Sequence, residues 1–162
     1  MTSAEVLAPH RSLRDTLARY PTGVAVVTTA GPVGLTVNSF TSVSLDPPLV
    51  LWCLRGDSTS RAAFEASPRF AVNVLAADQG GLARQFAGAA ADRFAGVGWV
   101  PGPDRLPILG GTVAWLRCRR YACLPGGDHV VFLGEVEAHA ALPGTPLTFC
   151  DGEFRPAGRV GS

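Results

Sequence analysis

The sequence contains no lysine; all 14 of its basic residues are arginine. That absence excludes a Schiff-base lysine, a Walker A lysine and a lysine general base. Charge of either sign is scarce, at 17% of residues with a net charge of +1, and the arginines are dispersed along the chain. The positive field that nucleic acid or an anionic membrane surface requires is therefore missing. Histidine occurs only as His10, His129 and His139, and there is neither a G-x-S-x-G nor a G-x-G-x-x-G following a strand. A hydrolase triad and a Rossmann dinucleotide site thus lack support. The four cysteines, Cys53, Cys118, Cys123 and Cys150, form no C-x-x-C pair and have no histidine at ligand spacing. No metal site is expected, and the cysteines read as reduced thiols of a cytoplasmic protein. Long apolar runs of membrane-span length are also lacking, as is a basic start followed by an apolar stretch.

What is present is a hydrophobic fraction of 47% over 162 residues. That suits a single domain over residues 1–162, with residues 1–10 expected to be flexible. Leu13, Leu17 and Tyr20 share helical spacing over Arg11 to Tyr20, where Pro21 ends the helix. From there the chain reads mainly as strands, at Val24 to Thr29, Gly34 to Leu45, Leu49 to Leu54 and Phe70 to Leu75. Short helices are expected over Ala62 to Ala66 and Leu82 to Phe86, then a Gly/Pro-rich loop from Ala90 to Leu109. Thr112 to Cys123 and Val130 to Ala140 read as long strands joined by a hairpin through Leu124 to Gly127, and Thr148 to Phe154 as a last short strand. The pattern predicts a mainly β fold, a closed antiparallel barrel with short flanking helices.

Three segments carry candidate chemistry. In Thr36 to Ser44, polar Ser39 and Thr41 interrupt the apolar face kept by Leu35, Val37, Val43 and Leu45. Such a break predicts a bulge or kink that offers backbone and hydroxyl groups to the edge of a planar ring; the plainer alternative is an edge strand with a Ser/Thr-rich solvent face. Gly56-Asp-Ser-Thr-Ser-Arg61 leads from a strand into a helix and is either a phosphate-sized anion site or ordinary capping by Ser58 or Thr59. Gly126-Gly-Asp-His129 sets a histidine beside a glycine turn, where a ligand contact and a plain exposed histidine are both open.

Taken in order, Tyr20-Pro-Thr-Gly-Val24, Gly34-Leu-Thr-Val-Asn-Ser-Phe-Thr-Ser-Val-Ser-Leu-Asp-Pro-Pro-Leu-Val-Leu51, Phe70-Ala-Val-Asn-Val-Leu75, Gly127-Asp-His129 and Gly134-Glu-Val136 resemble the short-chain flavin reductases of two-component monooxygenases. The resemblance runs from about Leu13 to Phe154 and implies that family's Greek-key split β-barrel that binds flavin mononucleotide. It implies an NAD(P)H-dependent flavin reductase, using FAD or FMN and NADH with NADPH open. Its partners would be a separate flavin-dependent monooxygenase and a second copy of the chain, with the flavin near the subunit interface.

The resemblance also implies roles by position. Thr36 and Asn38, Ser39, Phe40 and Thr41 would hold the ring edge, and Cys53 and Leu54 would line the ring pocket. Ser58 and Thr59 would meet the phosphate, with Arg61 as a helper. Gln85, Phe86 and Ala87 would close the pocket, and Arg93 and Phe94 would add a contact. His129 would contact the nicotinamide, with Phe154 as an aromatic wall. Where the family often has a second basic residue at the phosphate, this lysine-free chain offers Arg84 or Arg93. A flavin or haem carrier and an oxidase of the pyridoxamine-phosphate type are the alternatives on the same fold. Hydride transfer between two cofactors needs ring stacking and water exclusion rather than an acid–base pair, in keeping with the absence of one here.

Overall fold

The computed structural model describes residues 10–158, so the expected flexibility of residues 1–10 falls, apart from His10, outside the described chain. Helix α1 (His10–Ala18) comes first, followed by strands β1 (Thr22–Gly23), β2 (Ala25–Thr29), β3 (Val33–Val37), β4 (Thr41–Leu45) and β5 (Pro48–Arg55). Then come α2 (Arg61–Ala66), β6 (Arg69–Val74), α3 (Gly80–Ala87), β7 (Trp99–Pro101) and β8 (Pro107–Leu109). The long strands β9 (Ala114–Gly126) and β10 (His129–Ala141) follow, and β11 (Leu147–Cys150) and β12 (Glu153–Pro156) end the described chain. Among the described residues no helix is long and apolar enough to cross a membrane.

Seven strands form one antiparallel sheet in the order β3-β2-β6-β9-β10-β5-β4. Its two edge strands, β3 and β4, are consecutive in sequence and joined only by Asn38, Ser39 and Phe40. Seven strands laid flat would separate those edges by roughly 29 Å at the usual spacing. The four Cα steps from Val37 to Thr41 reach at most about 14 Å. The sheet must therefore curl enough to bring its two edges near each other at this link, where β3 approaches β5. The continuous strand expected from Gly34 to Leu45 is thus two strands on opposite edges, broken where the apolar period fails. A register shift between Ser42 and Ser44 adds a bulge at Val43.

Curling gives the sheet two packed faces. Along β2 every residue is buried, and side chains alternate between them: Ala25 and Val27 enter one core, Val26 the other, together with Val24 just before the strand. The first core is aromatic. Trp52 stacks on Phe132 at 4.7 Å and meets Phe64 edge-on at 4.9 Å, all three fully or almost fully buried. Each such ring contributes roughly 1.5–3 kcal/mol by burial. The second core lies beneath α3, where Ala83 and Phe86 pack with Leu75, Leu109 and Leu147.

Two expectations change. The segment from Ala90 to Leu109, expected as loop, contains the β7–β8 ribbon. It is pinned by buried Asn73, whose side chain accepts the Leu109 N–H at 2.9 Å and donates to the Val26 carbonyl at 3.1 Å, while Thr28 donates to the Pro107 carbonyl at 2.7 Å. The last strand is a hairpin, β11–β12, turning at Asp151-Gly152, whose φ angles of 51° and 79° are those of a left-handed turn. The long hairpin expected from the sequence is present, but its turn lies at Gly127-Asp128, because Leu124, Pro125 and Gly126, expected as the connection, pair in the ladder of β9 with β10.

Gly134 sits where β10 shifts register against β9, and a Cβ there would lie 2.8 Å from the Cys118 Cβ and collide with the Phe70 ring. Replacing Gly134 with valine is expected to lower unfolding stability by about 1–3 kcal/mol, measured by denaturant titration. The same change at Gly81, where a Cβ would meet nothing within 4 Å, is the control.

Candidate functional site

The seam created by the curl is where polar groups gather. The ladder of β3 ends at Val37 and that of β4 begins at Thr41, so the backbone of Asn38, Ser39 and Phe40 belongs to neither. In the register of β4 on β5, residue 39 would face Cys53. The Ser39 hydroxyl takes that place, accepting the Cys53 N–H at 2.9 Å and donating to the Cys53 carbonyl at 3.4 Å. One side chain thus completes the ladder, and the backbone of the link pairs with neither strand. Thr36 donates to the Ala83 carbonyl at 2.6 Å, which docks β3 onto α3.

A cavity of about 370 Å³ opens against this seam. Its first wall is Thr36, Asn38 and Ser39; its second is Cys53 and Leu54 on β5, continuing into Ser58 and Thr59. Phe86 and Ala87 at the end of α3, together with Arg93, make the third wall, and His129 closes the end. Burial pushes the Cys53 thiol up against the opposing effect of its Ser39 contact, so this wall is an uncharged sulfur.

The remaining expected residues lie around the cavity and not on it. Phe40 packs against the Trp52 core, and Thr41 is the exposed first residue of β4, opposite Leu51. Gln85 donates to the carbonyls of Arg93 and Ala95 at 2.8 and 2.9 Å, and Phe94 meets Phe86 edge-on at 4.9 Å. Both hold the loop that carries Arg93. Arg61 is taken up by Glu65 at 2.7 Å and by the Gly56 carbonyl at 3.2 Å, outside the cavity. Phe154, expected beside His129, instead pairs with Phe149 in the β11–β12 hairpin, its ring covered by Arg84 at 5.3 Å. That contact also draws Arg84 off the cavity. The alternative of capping by Ser58 or Thr59 is not seen: the N-cap of α2 is Ser60, without a side-chain bond, and Ser58 accepts the Ser60 N–H at 3.2 Å.

Arg93 is the cation of this cavity that no carboxylate pairs among the described residues, whereas Arg55 is held by Asp57. The Arg93 guanidinium donates to the carbonyls of Gly34 and Gly88, each at 3.0 Å, and it enters no ion pair among the described residues. Two carbonyl bonds aim it while leaving other N–H groups of the fork for an anion beside Ser58 and Thr59.

Sequence reasoning missed Arg55 and Asp57, which also line the cavity. They bracket Gly56 and form a two-point pair at 3.0 and 2.7 Å; the Arg55 contact holds the Asp57 carboxyl below its usual range. Opposite charges on either side of a glycine turn were the available signal. The same pair and His129 also line a larger groove of about 630 Å³ that runs past Asp128 and Leu124. His129 therefore stands between two hollows. Its Nδ1 lies 2.7 Å from the Asp128 carboxylate, which this contact holds below its ordinary value.

Residues 17–158 match the family model described as flavin reductase like domain. The FMN reductase (NADH) SmoA of Agrobacterium fabrum is 44% identical over 89% of this chain and 84% of its own. The reductase subunit HsaB of a flavin-dependent monooxygenase from Mycobacterium tuberculosis is 39% identical over 89% of this chain and 80% of its own. The structure of the Streptomyces globisporus NADH:FAD oxidoreductase SgcE6 with NAD and FAD fragments superposes with a TM-score of 0.90 at 42% identity, covering 98% of this chain and 100% of that one. A mainly β chain with this curled sheet and these relatives belongs to the flavin reductase like family.

Proposed function

We propose that this chain is an NAD(P)H:flavin oxidoreductase that reduces FAD or FMN with NADH and releases the reduced flavin to a separate flavin-dependent monooxygenase. The observation that carries this reading is the single cavity that draws together the seam hydroxyls, the Ser58-Thr59 turn, Arg93 and His129. Its chemistry suits a flavin: an exposed strand link for the polar ring edge, a flat uncharged wall at Cys53, and hydroxyls with a cation for the phosphate. The curled sheet is read as the family's closed Greek-key split barrel, in one domain. Neither a carrier nor a pyridoxamine-phosphate-type oxidase is favoured, since the similar proteins named above are reductases.

Bound flavin supplies the ring that accepts hydride from the nicotinamide. The protein's part is placement. Asn38 and Ser39 fix one edge of the ring through the seam backbone, while Thr36 keeps β3 against α3. Ser58, Thr59 and Arg93 hold the phosphate. Arg61 is withdrawn from that role by Glu65. His129, with Nδ1 on Asp128, positions the nicotinamide between the two hollows and moves no proton. Reacting atoms about 3–3.5 Å apart and a site cleared of water are what the rate requires. Flavin is a substrate that must leave, so its binding is reversible. Four unpaired cysteines suit the cytoplasm, where such a reductase meets NADH.

Purified protein is expected to oxidise NADH only when flavin is added. Replacing His129 with alanine removes a contact worth about 0.5–1.5 kcal/mol or more, so kcat/KM for NADH should fall roughly three- to thirtyfold. Flavin affinity should hold. His139, exposed on the same strand and roughly 33 Å further along, is the control. Unchanged NADH kinetics in His129→Ala would remove this histidine from the nicotinamide site.

Arg93→Ala is expected to raise KM for FMN by about tenfold or more, as loss of a charge-assisted contact of about 1.5–3 kcal/mol predicts. Riboflavin, which has no phosphate, should be reduced as before. An equal loss with riboflavin would show that the arginine serves the fold alone.

The chain is proposed to work as a homodimer with the flavin near the interface. Edge strand β4 displays Leu45 at 93% exposure and Val43 at 47%, apolar surface that a second copy would cover. Light scattering should give twice the 16.9 kDa of one chain, and a stable monomer would refute the proposal.

A further inference from the structure

Helix α1 is hardly used by its own fold. None of its nine residues is buried. Leu13 and Leu17, one turn apart on the helix, and Tyr20 just past its end stand 55%, 62% and 77% exposed. Only the end of the helix is held, at the turn of the β11–β12 hairpin. There Asp151 donates its N–H to the Ala18 carbonyl at 2.9 Å, and its carboxylate accepts Arg19 at 2.8 Å. A helix of this length does not persist on its own hydrogen bonds, so its apolar stripe needs a surface to cover it. A second bare surface lies on β4, an edge strand that pairs with β5 on one side only. Leu45 there is the most exposed large apolar side chain among the described residues, and Val43 lies two positions before it.

We propose that α1 is an exchanged arm: it lies across β4 of a second copy of this chain, with Leu13, Leu17 and Tyr20 on Val43 and Leu45 and with Arg14 beside Asp46. The inference rests on the homodimer reading and names the element that makes the dimer. Charge points to this pairing as well as apolar surface. Arg14 follows Leu13 and Asp46 follows Leu45; both are exposed, and neither enters an ion pair among the described residues. Within one copy both surfaces stay bare, so the arm does not fold back on its own edge strand. Area points the same way. A stable dimer buries roughly 800 Å² on each partner, of which Val43 and Leu45 supply a small part. Two-fold symmetry repeats the contact, and the pair closes with both stripes and both edges covered. A helix laid on an edge strand also shields the unpaired backbone groups that invite aggregation. Because β4 begins directly after the link that walls the flavin cavity, the arm of one copy ends up beside the flavin site of the other.

The test is analytical ultracentrifugation of the full chain over a range of concentrations. The unmodified protein should sediment at twice 16.9 kDa. Leu13→Asp together with Leu17→Asp should raise the dimer dissociation constant at least about a hundredfold, and Leu45→Arg should do so from the other side of the contact. All three side chains are exposed in the single chain, so the variants should keep the near-ultraviolet circular dichroism of the buried Trp52 core. Arg14→Asp and Asp46→Arg should each raise the constant about fivefold or more, because the contact occurs twice. Both reversals in one chain should bring it back to within about twofold of the unmodified value. A dimer that withstands the α1 changes but is split by Leu45→Arg would show two β4 edges pairing directly, and would overturn the proposal. A dimer that withstands Leu45→Arg, or a charge reversal that its partner does not restore, would overturn it too. A monomer in the unmodified protein would instead overturn the homodimer reading on which the arm depends.

Discussion

The structure depends on a short tether. Three residues connect the two edges of a seven-stranded sheet, and a flat sheet cannot meet that length. Curvature is therefore imposed by connectivity and then stabilised by packing. The inward faces of β2, β5, β6 and β10 close around Trp52, Phe70 and Phe132, with Phe64 from α2 as the plug at one end. At the seam itself a full ladder would need backbone on both sides. The Ser39 hydroxyl stands in for the missing partner of Cys53, and Asn38 and Ser39 line the cavity. The link that bends the sheet also walls the candidate cavity.

The second core turns that surface into a site. Phe86 is fully buried yet touches the cavity wall, and Phe94 and Trp99 stack behind it edge-on at 4.9 and 5.8 Å. This aromatic chain supports the loop after α3. Gln85 fastens the same loop through two carbonyls, and the result is a fixed direction for Arg93. No Cβ could be added at Gly34 without meeting the Phe86 ring at 2.9 Å, which is why the strand comes close enough for its carbonyl to receive Arg93. Core packing, the half-buried Gln85 amide and a glycine contact thus cooperate to aim one guanidinium, and rigid support of this kind is what a positioning site needs.

Much of this was legible in the sequence, for identifiable reasons. The failure of period at Ser39 and Thr41 is a local signal, and the structure breaks the strand there. Strands carry their own alternation, so β2, β5, β6, β9 and β10 fall where expected within a few residues. The β7–β8 ribbon was not legible because Asn73, more than thirty residues upstream in the chain, holds it in place. The position of Phe154 was not legible because β11 and β12 fold back on each other through Asp151 and Gly152, and carry that ring under Arg84. Arg61, at a helix start, has the sequence context of an anion ligand, but its i+4 neighbour Glu65 pairs with it.

Charge placement then explains how a chain without lysine sorts its arginines. Arg55, Arg61, Arg69 and Arg119 are each held by carboxylates, and Arg84 is spent over an aromatic ring. Most of these pairs are exposed, where a pair adds little stability. Their stronger effect is on recognition: a guanidinium already in a two-point carboxylate pair, such as Arg55 with Asp57, has fewer N–H groups for a phosphate. Arg93 is tied to carbonyls instead, which orient it without neutralising it. A neutral partner preserves the field that an anion feels, and a charged one cancels it. On the proposed reading, selectivity for a phosphate-bearing ligand at this point would come less from how many arginines surround the cavity than from what each is bonded to before the ligand arrives.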